Sequence, residues 1–136
     1  MTTEEYLESL VAKSRAAQKE FEKFTQEQVD ACCKAVCKVV YDNAEMLARM
    51  AVDETRMGIY ESKIGKCKNK SKSVWWRMRG QKSRGIIDRD EATGIVKVAK
   101  PIGVIGCVAP TTNPIITLMH NSACAMKCGN SIIICP

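Results

Sequence analysis

Several patterns that would identify a catalytic or metal-binding chain are missing here. The 136 residues hold a single histidine, His120, and none of the eight cysteines stands at C-x-x-C spacing from another. With no acidic ligand near Cys124 and Cys128, no metal site is assigned. There is no G-x-G-x-x-G and no P-loop. No internal repeat occurs, which excludes a solenoid. No apolar run is long enough to cross a bilayer, and the N-terminus is acidic and polar rather than a secretory signal. These absences predict a soluble, intracellular protein. Acidic residues are missing altogether between Ser62 and Ile87.

The cysteines that are present fall inside apolar patterns. Cys32, Cys33 and Cys37 share one helical pattern, and Cys107 and Cys135 lie in β-branched runs. In a reducing compartment they read as small buried residues in place of Ala or Val. None has a visible base or electropositive cradle, so none reads as a nucleophile. The net charge is +6, and nine lysines and arginines fall within the acid-free stretch 62–87, beside Trp75 and Trp76. Such a stretch suits nucleic acid. The plainer reading is a solvated face, or one that meets an acidic surface. The two tryptophans are adjacent, so at most one shares an exposed helical face with the lysines.

Thr2 with Glu5 and Thr25 with Gln28 are capping boxes. They predict a first helix carrying Tyr6, Leu7, Leu10, Val11, Ala17, Phe21 and Phe24 on an apolar side. A second helix runs from about Gln26 to Thr55, bent or broken at Asp42-Asn43. Both read as core helices, though a terminal amphipathic helix also suits docking to a partner. Gly58 is the expected cap after the second helix. A third helix crosses the lysine-rich stretch with Gly65 as a weak point and ends near Arg79-Gly80. Ile86–Asp88 and Ile95–Val98 then form a hairpin around Gly94.

The stretch Lys100–Pro136 organises the rest. Ile102–Val108 reads as a buried parallel strand, with Gly103 and Gly106 serving close packing. Asn113 is the expected N-cap and Pro114 the first residue of a helix to about Cys128. Gly129-Asn130 ends that helix, and Ser131–Cys135 is a second apolar strand. A right-handed βαβ unit follows, with its ligand crevice at the strands' carboxyl ends, beside Ala109–Asn113. The fold class is therefore α/β. Residues 1–83 form an N-terminal helical segment, 84–100 a hairpin that needs another sheet in this chain or a neighbouring subunit, and 101–136 the first βαβ unit of a Rossmann-like domain. Two strands this apolar call for cover on both faces, so the expectation is the N-terminal part of a larger protein.

The words Lys100-Pro101-Ile102-Gly103-Val104-Ile105-Gly106, Pro110-Thr111-Thr112-Asn113-Pro114 and Gly129-Asn130 resemble the start of the nucleotide-binding domain of the aldehyde dehydrogenase superfamily. Thr-Asn-Pro in place of Trp-Asn-Phe-Pro is similar to the CoA-acylating branch. So are Asp53-Glu54-Thr55, Met57-Gly58, Tyr60–Lys63 and Gly94–Val98. The resemblance implies an NAD-linked reaction, with NADP left open, between a short-chain aldehyde, coenzyme A and an acyl-CoA. It also implies a homo-oligomer without membrane or nucleic-acid partners, a cytoplasmic location or a bacterial microcompartment, and a hairpin arm between subunits. Val108, Ala109, Pro110 and Thr111 match the loop along the cofactor. Thr112 or Asn113 matches the donor to the developing oxyanion. The family's nucleophilic cysteine has no counterpart among these residues, so the 136 residues alone are expected to be inactive. Arg56 departs from the pattern, which has Gly there. A left-handed turn at that place strains Arg, so the turn is expected to differ.

Overall fold

A computed structural model describes residues 1–135; Pro136, the last residue of the expected βαβ unit, lies outside the described residues. Five helices and four strands follow in the order α1 (Thr3–Phe21), α2 (Gln26–Asp42), α3 (Ala44–Thr55), α4 (Tyr60–Met78), β1 (Gly85–Asp90), β2 (Ile95–Ala99), β3 (Val104–Val108), α5 (Pro114–Lys127) and β4 (Ser131–Cys135). Both capping boxes form, with Thr2 and Thr25 side chains accepting from the backbone N–H three residues on. The second expected helix divides at Asn43, whose N–H still bonds the Val39 carbonyl while its φ and ψ leave the helical region. α4 runs unbroken through Gly65.

Strands β3 and β4 are parallel, with Val104 beside Ser131 and Val108 beside Cys135. Side chains alternate across a strand, so Val104, Gly106, Ser131 and Ile133 share one face, and Ile105, Cys107 and Ile132 the other. The Ser14 hydroxyl of α1 donates to Ser131 Oγ at 2.8 Å, and the Asn121 amide of α5 reaches Cys107 Sγ at 3.2 Å. The two helices therefore cover opposite faces of one strand pair. The carboxyl ends stay open: Val108 is 78% exposed, and Ile134 and Cys135 are also exposed. Expected burial along the full strand length is not met there, because among the described residues neither strand has an outer neighbour.

Gly103 lies ahead of β3 with φ 126, a left-handed conformation, and a Cβ on Gly103 or Gly106 meets no atom within 4 Å. Close packing is thus not their role within these residues. Gly129 does face a close approach. At φ 77 it ends α5, and a Cβ there would collide with the Arg84 guanidinium. Arg84 in turn donates to the carbonyls of Phe21, Glu22 and Phe24 at the C-terminal end of α1. Asn130, in contrast, is not left-handed. It is buried, and its Oδ1 accepts from the N–H groups of Ile102 and Gly103 at 2.7 and 2.8 Å.

The main core lies among α2, α3, α4 and α5, where Cys37, Val40, Ala44, Cys67, Ile116, Met119 and Ala123 cluster. Small side chains let four helices meet closely. Four of the eight cysteines are buried, but Cys128 and Cys135 are exposed, against the expectation that all replace buried Ala or Val. α1 also differs from its apolar reading. Tyr6 and Leu7 are exposed, and its buried residue is Gln18, whose amide donates to the Gly129 carbonyl at 3.2 Å. The face meets strand starts and a helix end, whose polar backbone groups need partners. The antiparallel hairpin β1–β2 is exposed along both strands apart from Ala99, half-buried at its end.

Candidate active site at the β3–α5 loop

Ala109 continues the strand ladder by donating to the Cys135 carbonyl at 2.9 Å. The chain then turns: Asn113 N–H closes onto the Pro110 carbonyl at 3.1 Å, with Thr111 and Thr112 exposed at the corner. Pro114 begins α5 without needing an N–H partner. Asn113 holds the N-cap position but makes no side-chain cap bond. Its backbone, at φ −148 and ψ 59, lies outside the extended conformation that aims a capping side chain at the first turn. The capping role expected of Asn113 is therefore not performed, and its amide is not occupied by the helix.

Thr112 and Asn113 open onto a cavity of about 370 Å³ between α5 and the start of α4. Met57, Ile59, Ile115 and Ile116 supply apolar wall, and Ser62, Lys63, Lys66 and Cys67 the other side. Lys63 Nζ points to the Thr112 carbonyl at 3.5 Å. Val108, Ala109, Pro110 and Thr111 do not line this cavity. They follow the open end of β3, in the crevice position of a βαβ unit. The expected site residues thus divide into two neighbouring groups joined by the turn.

The reading of the sequence missed the lysine side of the cavity. Lys63 precedes Thr112 by 49 residues, and no spacing rule connects them. The turn that leads into α4 is also not as expected. Arg56, not Gly58, is the C-cap of α3, and it is left-handed at φ 57 and ψ 22. The expected strain is present and the turn is kept.

Burial pushes the Cys33 thiol up to about 12, with the nearby Lys127 ammonium opposing the rise. Burial likewise raises Cys37, Cys67 and Cys124. These four are held as thiols at neutral pH. His120 is exposed, and its polar partners among the described residues are Asn121 and Cys124 of its own helix, at 3.2 and 3.7 Å. No group of three or more metal-ligating side chains gathers among the described residues. On α4, Trp75 packs against the core, while Trp76 is exposed with the Arg79 guanidinium 3.0 Å from its ring centre. Lys68 faces Glu45 at 3.6 Å.

A parallel strand pair with a crossover helix, an open carboxyl end and a polar turn at that end make an α/β crossover unit, in which a ligand crevice falls at the strands' carboxyl ends. The sequence model of the aldehyde dehydrogenase family matches residues 1–136, and the chain belongs to that family. It is 46% identical over 136 residues to the succinate-semialdehyde dehydrogenase (acetylating) of Clostridium kluyveri, covering 100% of this chain and 30% of that protein. A probable aldehyde dehydrogenase from Listeria monocytogenes EGD-e superposes with a TM-score of 0.92 at 33% identity, covering 97% of this chain and 29% of that one. A propionaldehyde dehydrogenase from the Clostridium phytofermentans fucose utilisation bacterial microcompartment gives a TM-score of 0.73 at 28% identity, covering 93% and 28%. The chain thus spans less than a third of the length of each. No helix among the described residues is long and apolar enough to cross a membrane.

Proposed function

We propose that this chain forms the cofactor-side wall of an NAD-linked, CoA-acylating aldehyde dehydrogenase that interconverts a short-chain aldehyde plus CoA with an acyl-CoA. The observation that carries the reading is the turn after β3, where Asn113 sits on a cavity with its amide unused by the helix it begins. The likeness to an acetylating relative supports the acylating branch.

The residues present fit a dinucleotide. Gly106 is exposed with no atom within 4 Å of a Cβ, and Val108 is open beside it. Backbone from Val108 to Thr111 can therefore lie along a flat ligand. The nicotinamide group supplies the hydride acceptor when bound. The Thr112 hydroxyl and the Asn113 amide are donors for the oxygen that gains charge when a thiolate adds to the aldehyde. Burial raises the thiols of Cys33, Cys37, Cys67 and Cys124, which disfavours each of them as that thiolate.

The exposed hairpin supports an intersubunit arm. Isolated two-stranded sheets are marginal in water, and Ile95, Val96 and Val98 are all exposed. A homo-oligomer in the cytoplasm, or in a microcompartment like that of the propionaldehyde relative, is the setting proposed.

The test is a coupled assay on the natural gene product that carries this chain. NADH and acyl-CoA form together, only when CoA is supplied, and Asn113→Ala lowers kcat by about tenfold or more. Oxidation to the free acid without CoA rejects the acylating reading. The purified 136 residues alone show no turnover. Clear NAD- and CoA-dependent turnover by them would show that a nucleophile lies among the present cysteines.

A further inference from the structure

The cavity beside Thr112 carries charge of one sign. Lys63 and Lys66 line it and no carboxylate does. Neither cavity lysine is in an ion pair among the described residues, so no carboxylate neutralises either ammonium. Lys63 and Lys66 stand three apart on α4, so both ammonium groups belong to one helix face and repel each other. The N-terminus of α5 adds partial positive charge from the opposite wall.

Lys63 is also held in place. Gly58 is left-handed at φ 84, and a Cβ there would lie 2.9 Å from Lys63 Cε. The bare glycine lets the lysine stem cross the turn and bring its ammonium to Thr112. An apolar aldehyde needs none of this, because Met57, Ile59, Ile115 and Ile116 already give it a wall.

We propose that this cavity receives the anionic tail of the aldehyde, a carboxylate or sulfonate held by Lys63 and Lys66 with the Ser62 hydroxyl beside them. The aldehyde carbon then lies toward Thr112 and Asn113. The inference rests on the aldehyde dehydrogenase reading above and names its substrate class. Lys63 and Lys66 select substrate; they do no chemistry.

The experiment compares two four-carbon aldehydes on the natural gene product, succinate semialdehyde and butyraldehyde. One ends in a carboxylate and the other in a methyl group. In Lys63→Gln/Lys66→Gln, kcat/KM for succinate semialdehyde falls by about tenfold or more, mostly through KM, and the preference over butyraldehyde falls with it. Added salt raises KM for the anionic aldehyde in the wild type and has little effect in the variant. Equal losses for both aldehydes overturn the proposal. So does a raised KM for CoA or NAD with both aldehydes, since the lysines then serve a cofactor phosphate. If neither aldehyde turns over, the enzyme reading has failed and the site is judged by titrating succinate while following backbone NMR shifts. Shifts at Ser62–Lys66 and Thr112 that vanish in the double variant keep the anion site. Their absence in the wild type rejects it.

Discussion

Lys127, only 7% exposed at its side chain, donates to Asp30 Oδ1 and so ties the end of α5 to the first turns of α2. Asp30 also accepts from Gln26 at 2.9 Å, and Gln26 Oε1 accepts from Ser83 N–H at 2.8 Å. One polar seam thus joins the helical segment, the entry to the hairpin and the crossover helix. Removing one partner leaves the other charge stranded, which costs more than the pair contributes. Lys127→Met is expected to lower stability by about 3 kcal/mol, the lower end of the range because Asp30 keeps some contact with water. Adding Asp30→Leu should recover part of the loss. Urea unfolding of the single and double variants measures both, and strictly additive losses would show that the two residues are not coupled.

Arg56 caps α3 in a left-handed conformation. A left-handed L-residue costs about 1–2 kcal/mol, and a flexible Gly in the unfolded chain returns about 0.5–1 of it. Arg56 is exposed and makes no ion pair among the described residues, so little contact is lost with it. Arg56→Gly is therefore expected to stabilise by somewhat less than about 1 kcal/mol. A thermal melt that shifts downward instead would mean that the side chain contributes more than its backbone costs.

Cys33 is fully buried, and its folded-state thiol ionises near 12 rather than at its ordinary 9.0. The folded state therefore holds a proton that the unfolded state gives up at lower pH. This contribution is fully present below pH 9 and is lost as pH rises through 12. Its slope reaches about 1.4 kcal/mol per pH unit within that window. Stability measured from pH 8 to 10.5 should fall, and Cys33→Ala should make the fall shallower. An unchanged slope in that variant would assign the alkaline loss to other groups. Iodoacetamide at pH 8 should reach Cys128 and Cys135, which are exposed, well before Cys33.

Much of the architecture was legible from local rules. The capping boxes, the break at Asn43 and the order of elements after Ile86 follow from side chains that act on their own backbone. What stayed hidden depends on distant partners. Ser14 and Gln18 of α1 bond Ser131 and Gly129, 117 and 111 residues away, and no local pattern marks either of them. Asn130 reads as a helix stop and instead holds the chain ahead of β3. At the site, Thr112 and Asn113 were visible through the family words. The lysine wall opposite was not, because a helix face acquires a purpose only when another element is packed against it.

The polar bonds of α1 have a consequence for the far end of the strands. An apolar contact lets a helix slide by part of a turn at little cost. A hydroxyl paired with a hydroxyl, and an amide with one carbonyl, fix which turn of α1 lies over which strand residue. The helix is thereby indexed to the start of β4, and β4 to β3 through their ladder. The turn at Thr112 and Asn113 hangs from the other end of that rigid pair. Its position is set by a chain of directional bonds that begins at Ser14, on the opposite side of the sheet from the helix it opens.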